Sequence, residues 1–236
     1  MDKLLQQLLE KLKKAYGDRL VSVVLYGSAA TGEHHAKFSD YNILCVLSEI
    51  TPRELAASDG IFRWWREHGN PAPQLLTEHE VATSTDCFAI EFHDMKLHHR
   101  LLYGKDVLTG LVVDNSFYRA QVEHDLRAKL LRLRQKASGM MSDSDLLRRL
   151  LLDSLSTFCV LFRHALLLHG VDAPQQKRET IRRCGEQFAL DPRPFDALLD
   201  VREERVKARE VEPVQLLAPY LEGIARVIDA VDRLEK

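Results

Sequence analysis

No CxxC pair, no internal repeat and no low-complexity tract occurs in the 236 residues of this chain. Its four cysteines, Cys45, Cys87, Cys159 and Cys184, are scattered, and Cys45, Cys87 and Cys159 stand among apolar neighbours. That spacing argues against a metal ribbon or a redox dithiol and for small buried thiols in a reducing compartment. An excess of one charge is missing as well. Lys and Arg total 33 against 35 Asp and Glu, a net charge of -2, unlike the basic excess of proteins that coat nucleic acid. A long uncharged apolar run is also absent. The richest candidate, Leu146 to Leu168, is broken by Arg148, Arg149, Asp153, Arg163 and His164, so a buried bundle helix is expected there and no membrane span. The first residues, MDKLLQQLLEKLKK, are amphipathic and charged, unlike a signal peptide. The expected location is the cytoplasm.

With 45% apolar and 29% charged residues, the chain has the composition of an ordinary globular protein. Its length allows one large domain or two of about 100 residues. The stretch around which the rest is organised runs from Leu20 to Leu47. Val21, Val23 and Leu25 alternate with other residues and lead into Tyr26-Gly27-Ser28. After a polar loop, Ile43 to Leu47 form a continuous apolar run, the pattern of a strand buried on both faces. Asp40 and Asn42 open this second strand and leave it on one side, while Tyr41 points to the other.

On either side of these strands the punctuation is clear. Leu4, Leu5, Leu8, Leu12, Ala15 and Tyr16 recur at helical spacing up to Gly17. Thr51-Pro52 opens a second helix that ends before Gly69-Asn70-Pro71. Gln74 to Thr77 is a short extended run, and Thr77-Glu78-His79-Glu80 has the form of a capping box. Cys87 to Asp94 alternates Phe88, Ile90 and Phe92 with Ala89, Glu91 and His93, which predicts a further strand with Glu91 on its polar face. From Asn115 onward the spacing predicts helices only, five of them, joined by short connections. The expected architecture is α+β: an N-terminal mixed sheet with flanking helices over residues 1–113, then an all-α helical bundle over 114–236.

If Gly27, Ser28, Asp40, Asn42 and Glu91 converge, their chemistry is coherent. Gly27 permits a sharp turn that brings backbone N–H groups close to phosphates, and Ser28 adds a hydroxyl donor. Asp40, Asn42 and Glu91 supply hard oxygen ligands suited to Mg2+ or Mn2+, and Glu91 can also take a proton from an attacking hydroxyl. Lys37, in the loop, and Lys177 with Arg178, at a helix start, are further candidate phosphate contacts. The histidines, among them His34, His35, His93, His98 and His99, match no zinc spacing.

The stretch LYGSAATGEHHAKFSDYNILCVL resembles the signature of the polymerase-beta-like nucleotidyltransferase superfamily. That signature is an apolar strand, Gly-Ser, a gap of roughly ten residues, then an acidic pair entering a second strand. The helical second half is similar to the bundles of its antibiotic-modifying and minimal branches. The resemblance implies an N-terminal nucleotidyltransferase-like domain with Gly27, Ser28 and Lys37 at the nucleotide phosphates. It implies Asp40 and Glu91 in catalysis and Asp40, Asn42 and Glu91 around the metal. Asn42 stands where that superfamily has its second aspartate, which removes one charge from the metal set.

Two functions compete on these grounds. In one, the chain is an Mg2+-dependent enzyme transferring a nucleoside monophosphate from an NTP, ATP foremost, to a hydroxyl of a small molecule or protein held between the two halves. In the other, Asn42 marks a weakened or inactive relative that binds nucleotide or a protein partner. A homodimer is compatible with the sequence; a membrane or nucleic-acid partner is not expected.

Overall fold

The computed structural model describes residues 2–30 and 41–234. The chain divides into two compact units, Met1–Phe117 and Tyr118–Lys236.

The first unit is built on a four-stranded mixed sheet. Its strands are β1 (Leu20–Tyr26), β2 (Asn42–Leu47), β3 (Gln74–Thr77) and β4 (His99–Gly104), in the order β3-β2-β1-β4. β1 pairs antiparallel with β2 and with β4, whereas β2 and β3 run parallel. Val23, Leu25, Ile43, Cys45 and Leu47 project from one face and pack on α1 (Lys3–Tyr16) and α2 (Pro52–Glu67). α1 contributes Leu5, Leu8, Leu12 and Tyr16, and α2 contributes Trp65, which fill this layer without solvent access. The two helices start as their sequences dictate. Asp2 caps α1 by accepting from the Leu4 N–H at 2.8 Å, and Thr51 with Glu54 closes a reciprocal box on α2. The Glu54 carboxylate is buried and meets the Arg19 guanidinium at 3.0 Å. The Thr51 hydroxyl bond first, then backbone N–H bonds and last the Arg19 charge, hold Glu54 below the usual carboxylate range.

Val24, Leu44 and Val46 leave the opposite face and are equally sealed. Where the alternation had predicted a strand, the chain forms a helix. Ala89–Leu97 forms α4, preceded by the one-and-a-half-turn α3 (Glu78–Thr83) with its Thr77–Glu80 capping box. The strand expected over Cys87 to Asp94 is therefore corrected. Ala89, Phe92 and Met95 recur every third residue and are buried, while Phe88 is 48% exposed. The same window satisfies periods of two and three. Good helix formers at Glu91, Met95, Lys96 and Leu97 tip the balance. Glu91 consequently occupies the first turn of a helix, with Asp94 one turn on along the same side.

The second unit holds five helices among its described residues: α5 (Tyr118–Ser138), α6 (Ser144–Leu168), α7 (Lys177–Phe188), α8 (Arg193–Arg202) and α9 (Pro213–Asp232). α6 touches each of the other four and forms the centre of the bundle. By length and composition it could cross a membrane, but here its Leu147, Leu151, Leu155, Phe158 and Phe162 are buried in protein. Phe158, Phe162, Phe195 and Tyr220 pack ring on ring, with centroids 4.7 to 6.2 Å apart.

Candidate active site at the end of strands β1 and β2

Tyr26 closes β1, and the sheet register sets what stands beside it. Tyr26 pairs with Asn42 on β2 and with His99 on β4. Residues directly opposite on neighbouring strands project from the same face, so Asn42, Tyr26 and His99 form one polar row. It continues the face carrying Val24 and Leu44. Tyr26 is the site residue that sequence reasoning missed. Its only signal was its place just before Gly27.

Gly27 then turns the chain with φ +77°, a region that favours glycine. A Cβ there would come within 3.3 Å of the Asn42 Nδ2. The Asn42 amide thus lies over Gly27, nitrogen inward. The Gly27 N–H donates to the His98 carbonyl at 3.1 Å, and the Gly27 carbonyl accepts from Ala30 at 2.9 Å, opening a 3-10 turn over Ser28–Ala30. Because its own N–H is committed, Gly27 shapes the turn and leaves any phosphate donation to the N–H groups that follow it.

The strand following the loop is clamped from the other side. Tyr41 donates its N–H to Asn70 Oδ1 at 3.0 Å and its phenol to Asp2 Oδ2 at 2.6 Å, and its ring lies 6.0 Å from that of Trp65. Asp2 therefore both caps α1 and holds Tyr41, which fixes the register that delivers Asn42. Tyr41 does point opposite to Asn42, as the alternation implied.

α4 supplies the charge. Burial first, then the Glu91 and Asp94 carboxylates, push the Tyr26 phenol up to about 12, so it is a neutral donor at ordinary pH. One Glu91 oxygen is sealed from solvent. α4 is tied to the turn by two bonds in series: the His98 N–H donates to the Asp94 carbonyl at 3.1 Å, and the His98 carbonyl accepts from Gly27. The segment after β4 is pinned to the same helix by His93 Nε2 to Asn115 Oδ1 at 2.7 Å and by Lys96 to the Leu111 carbonyl. Asp106 belongs to this brace. Its burial opposes ionisation, but bonds from Thr109, Leu108 and His99 hold its carboxyl down at about 2.

Of the sequence-predicted residues, the structure brings Gly27, Asn42 and Glu91 to this end of the sheet. Lys37 and Asp40 lie outside the described residues, as does the Ser28 side chain. Among the described residues no three His, Cys, Asp or Glu side chains assemble a metal cluster. The described donors, the Asn42 amide oxygen and the Glu91 carboxylate, are hard oxygen ligands of the type Mg2+ and Mn2+ take, and on that chemistry they fit. In the bundle, Lys177 donates to the Ser156 hydroxyl at 3.0 Å, and Arg202 donates to the same oxygen. Partial burial and the nearby Arg202 charge lower the Lys177 pKa. Its neighbour Arg178 is committed to Asp196, Asp200 and Glu203.

Residues 5–129, just over half of the chain, match the family model of the nucleotidyltransferase domain. The chain belongs to the nucleotidyltransferase domain family. Among solved structures it is similar to the spectinomycin adenyltransferase AAD(9) from Enterococcus faecialis, solved with ATP and spectinomycin. The identity is 13% and the TM-score 0.63, over 98% of this chain and 99% of that one. This likeness shows that the α+β fold with a C-terminal helical bundle is shared. A toxin–antitoxin structure with AMP-PNP matches over 50% of this chain and 93% of its own, at 14% identity and a TM-score of 0.34. No curated protein matches the chain significantly.

Proposed function

We propose that this nucleotidyltransferase-family chain transfers a nucleoside monophosphate, from ATP in the first instance, to a hydroxyl group of a small-molecule or protein acceptor. The observation that carries this reading is the close apposition of the Gly27 turn and Asn42, with Glu91 on the helix beside them. In this reading the turn after Gly27 holds the triphosphate through the Ser28 and Ala29 N–H groups and the Ser28 hydroxyl. Asp40 and Lys37 complete the site from the loop. Glu91 takes the proton from the acceptor hydroxyl, whose oxygen attacks the α-phosphorus as the bond to pyrophosphate breaks. Asp40, Asn42 and Glu91 would hold the cation, and Mg2+ bound there supplies neutralisation of phosphate charge. Lys177 and Arg202 form a second cationic pair suited to phosphate, in the bundle. A relative of the same fold was solved with ATP and spectinomycin, which supports ATP as donor and a small molecule as acceptor.

One observation favours a weaker version. Asn42 offers an oxygen without charge, and fewer anions around a cation mean lower affinity. A chain that binds nucleotide and transfers slowly, or only binds, follows from that. Incubation with ATP labelled at the α-phosphate, Mg2+ or Mn2+ and a cell extract separates the readings. Label passing to any acceptor, and lost in Asp40→Ala, supports the enzyme. Nucleotide binding without transfer under either metal supports the binding module.

A further inference from the structure

The two halves of α5 differ in charge. Up to Arg127 its cations are paired: Arg119 and Arg127 both meet Glu123, and Arg127 also meets Asp232. Beyond it stand Lys129, Arg132, Arg134 and Lys136, all exposed, while Leu126, Leu130, Leu133 and Ala137 are buried. From Leu126 to Ser142 the sequence holds five cations and no Asp or Glu, in a chain whose net charge is -2. Among the described residues no carboxylate pairs with any of those four exposed cations. Cations at a helix C-terminus complement its dipole, which accounts for Lys136 in the last turn and not for the others. Lys129, Arg132 and Lys136 follow one another at spacings of three and four on one side of the helix, over about 10 Å of rise. Like charges at those spacings repel, and an anion laid along the line relieves them.

We propose that this half of α5 binds the phosphate backbone of a double-stranded nucleic acid through Lys129, Arg132 and Lys136, with Arg134 at their flank. The proposal stands apart from the nucleotidyl-transfer reading. The low net charge, which argued against a protein that coats nucleic acid, does not bear on a strip confined to a few turns of one helix. A duplex fits the strip better than a single strand does. No Phe, Trp or Tyr stands between Arg119 and Thr157, so no platform for stacked bases accompanies the cations. An anionic bilayer fits less well than either. The exposed apolar side chains of α5, its loop and the start of α6 are Leu131, Met141 and Leu146, and Asp143 and Asp145 stand between the last two. Pressing that end onto anionic headgroups would set both carboxylates against like charge. Contacts to phosphate carry no sequence information, so RNA and DNA duplexes of any sequence bind alike.

The test is fluorescence anisotropy of labelled RNA and DNA duplexes of mixed sequence, titrated with the full chain at several salt concentrations. Half-saturation is expected on the order of 10 μM at about 50 mM salt. The logarithm of the affinity should fall against that of the salt with a slope of about -3, for three phosphates neutralised. Lys129→Gln, Arg132→Gln and Lys136→Gln together are expected to weaken binding at least about tenfold and to flatten the slope. Arg182→Gln, Arg193→Gln and Arg226→Gln together remove the same charge from ion-paired positions and are expected to change the affinity less than about twofold. If the first triple variant does not fold, Arg132→Gln alone decides, by lowering the slope by about one. No binding by the wild type, or an equal loss in the two triple variants, overturns the proposal. So does tighter binding to a single strand than to a duplex, or binding to phosphatidylserine vesicles in place of duplexes. None of these outcomes bears on label transfer from ATP.

Discussion

In the bundle, Arg178 is met by Asp196, Asp200 and Glu203, Arg182 by Glu179 and Glu186, Arg193 by Asp191 and Arg226 by Glu222. At the end of β1, by contrast, Glu91 and Asp94 act on a phenol that stays neutral, beside the neutral amide of Asn42. These charges of the bundle are paired locally, and its buried centre is the aromatic group around Phe162. The sheet end is shaped instead by the glycine turn at Gly27, held to α4 through the backbone of His98. The difference separates a region whose packing is aromatic and whose charges are paired from the region to which the proposed function assigns the ligand.

The comparison breaks first if the bundle's core is not what stabilises it. Phe162→Ala removes a fully buried ring between Phe158 and Phe195 and is expected to cost about 3–5 kcal/mol in denaturant unfolding. Arg226→Ala, at an exposed pair, is expected to change stability by less than about 1 kcal/mol. Equal losses in the two variants would contradict the division of roles.

At the sheet end the sharpest change is Gly27→Ala. Its Cβ would press on the Asn42 amide in a backbone region that only glycine adopts easily. The expected cost is about 1–3 kcal/mol, with loss of ATP binding measurable by calorimetry. Normal ATP affinity in a folded Gly27→Ala chain would remove the turn from the site. Tyr41→Phe deletes the bond to Asp2 and is expected to cost about 1 kcal/mol. Its effect on thermal melting should exceed its effect on ATP affinity, since it acts through the register of β2.

The smallest effect is with pH. Asp106 is held at about 2, below its ordinary 3.8, so it binds its proton less readily folded than unfolded. Its contribution to stability is complete above pH 4 and is lost as the pH falls from about 4 to about 2. Asp106→Asn should flatten that limb of the stability profile; an unchanged acid limb would show that Asp106 does not brace the segment after β4.

How much of this was legible in the sequence differs between the same two regions. The bundle's helices announced themselves through long apolar stripes and through starts at Asp143 and Pro213. β1, β2, the Thr51-Pro52 helix start and the Thr77–Glu80 capping box were equally readable, because caps and buried strands are local in origin. Ala89–Leu97 was not, since a nine-residue apolar segment with Phe88, Ile90 and Phe92 fits either period, and only packing chose the helix. The site was half visible for the same reason. Gly27 and Asn42 stand out by spacing, and Glu91 by its charge. The part played by Tyr26 arises from cross-strand pairing, which leaves no mark in the linear order.

Label transfer from ATP carrying phosphorus-32 at the α-position, with Mg2+ or Mn2+, tests the central claim most directly when wild type is run beside Glu91→Gln. The expected result is transfer by the wild type and a rate about 10² to 10⁴ lower in Glu91→Gln, with ATP affinity and melting temperature little changed. Equal transfer by the two chains would contradict the role given to Glu91, and no transfer by either, under both metals, would contradict the function itself.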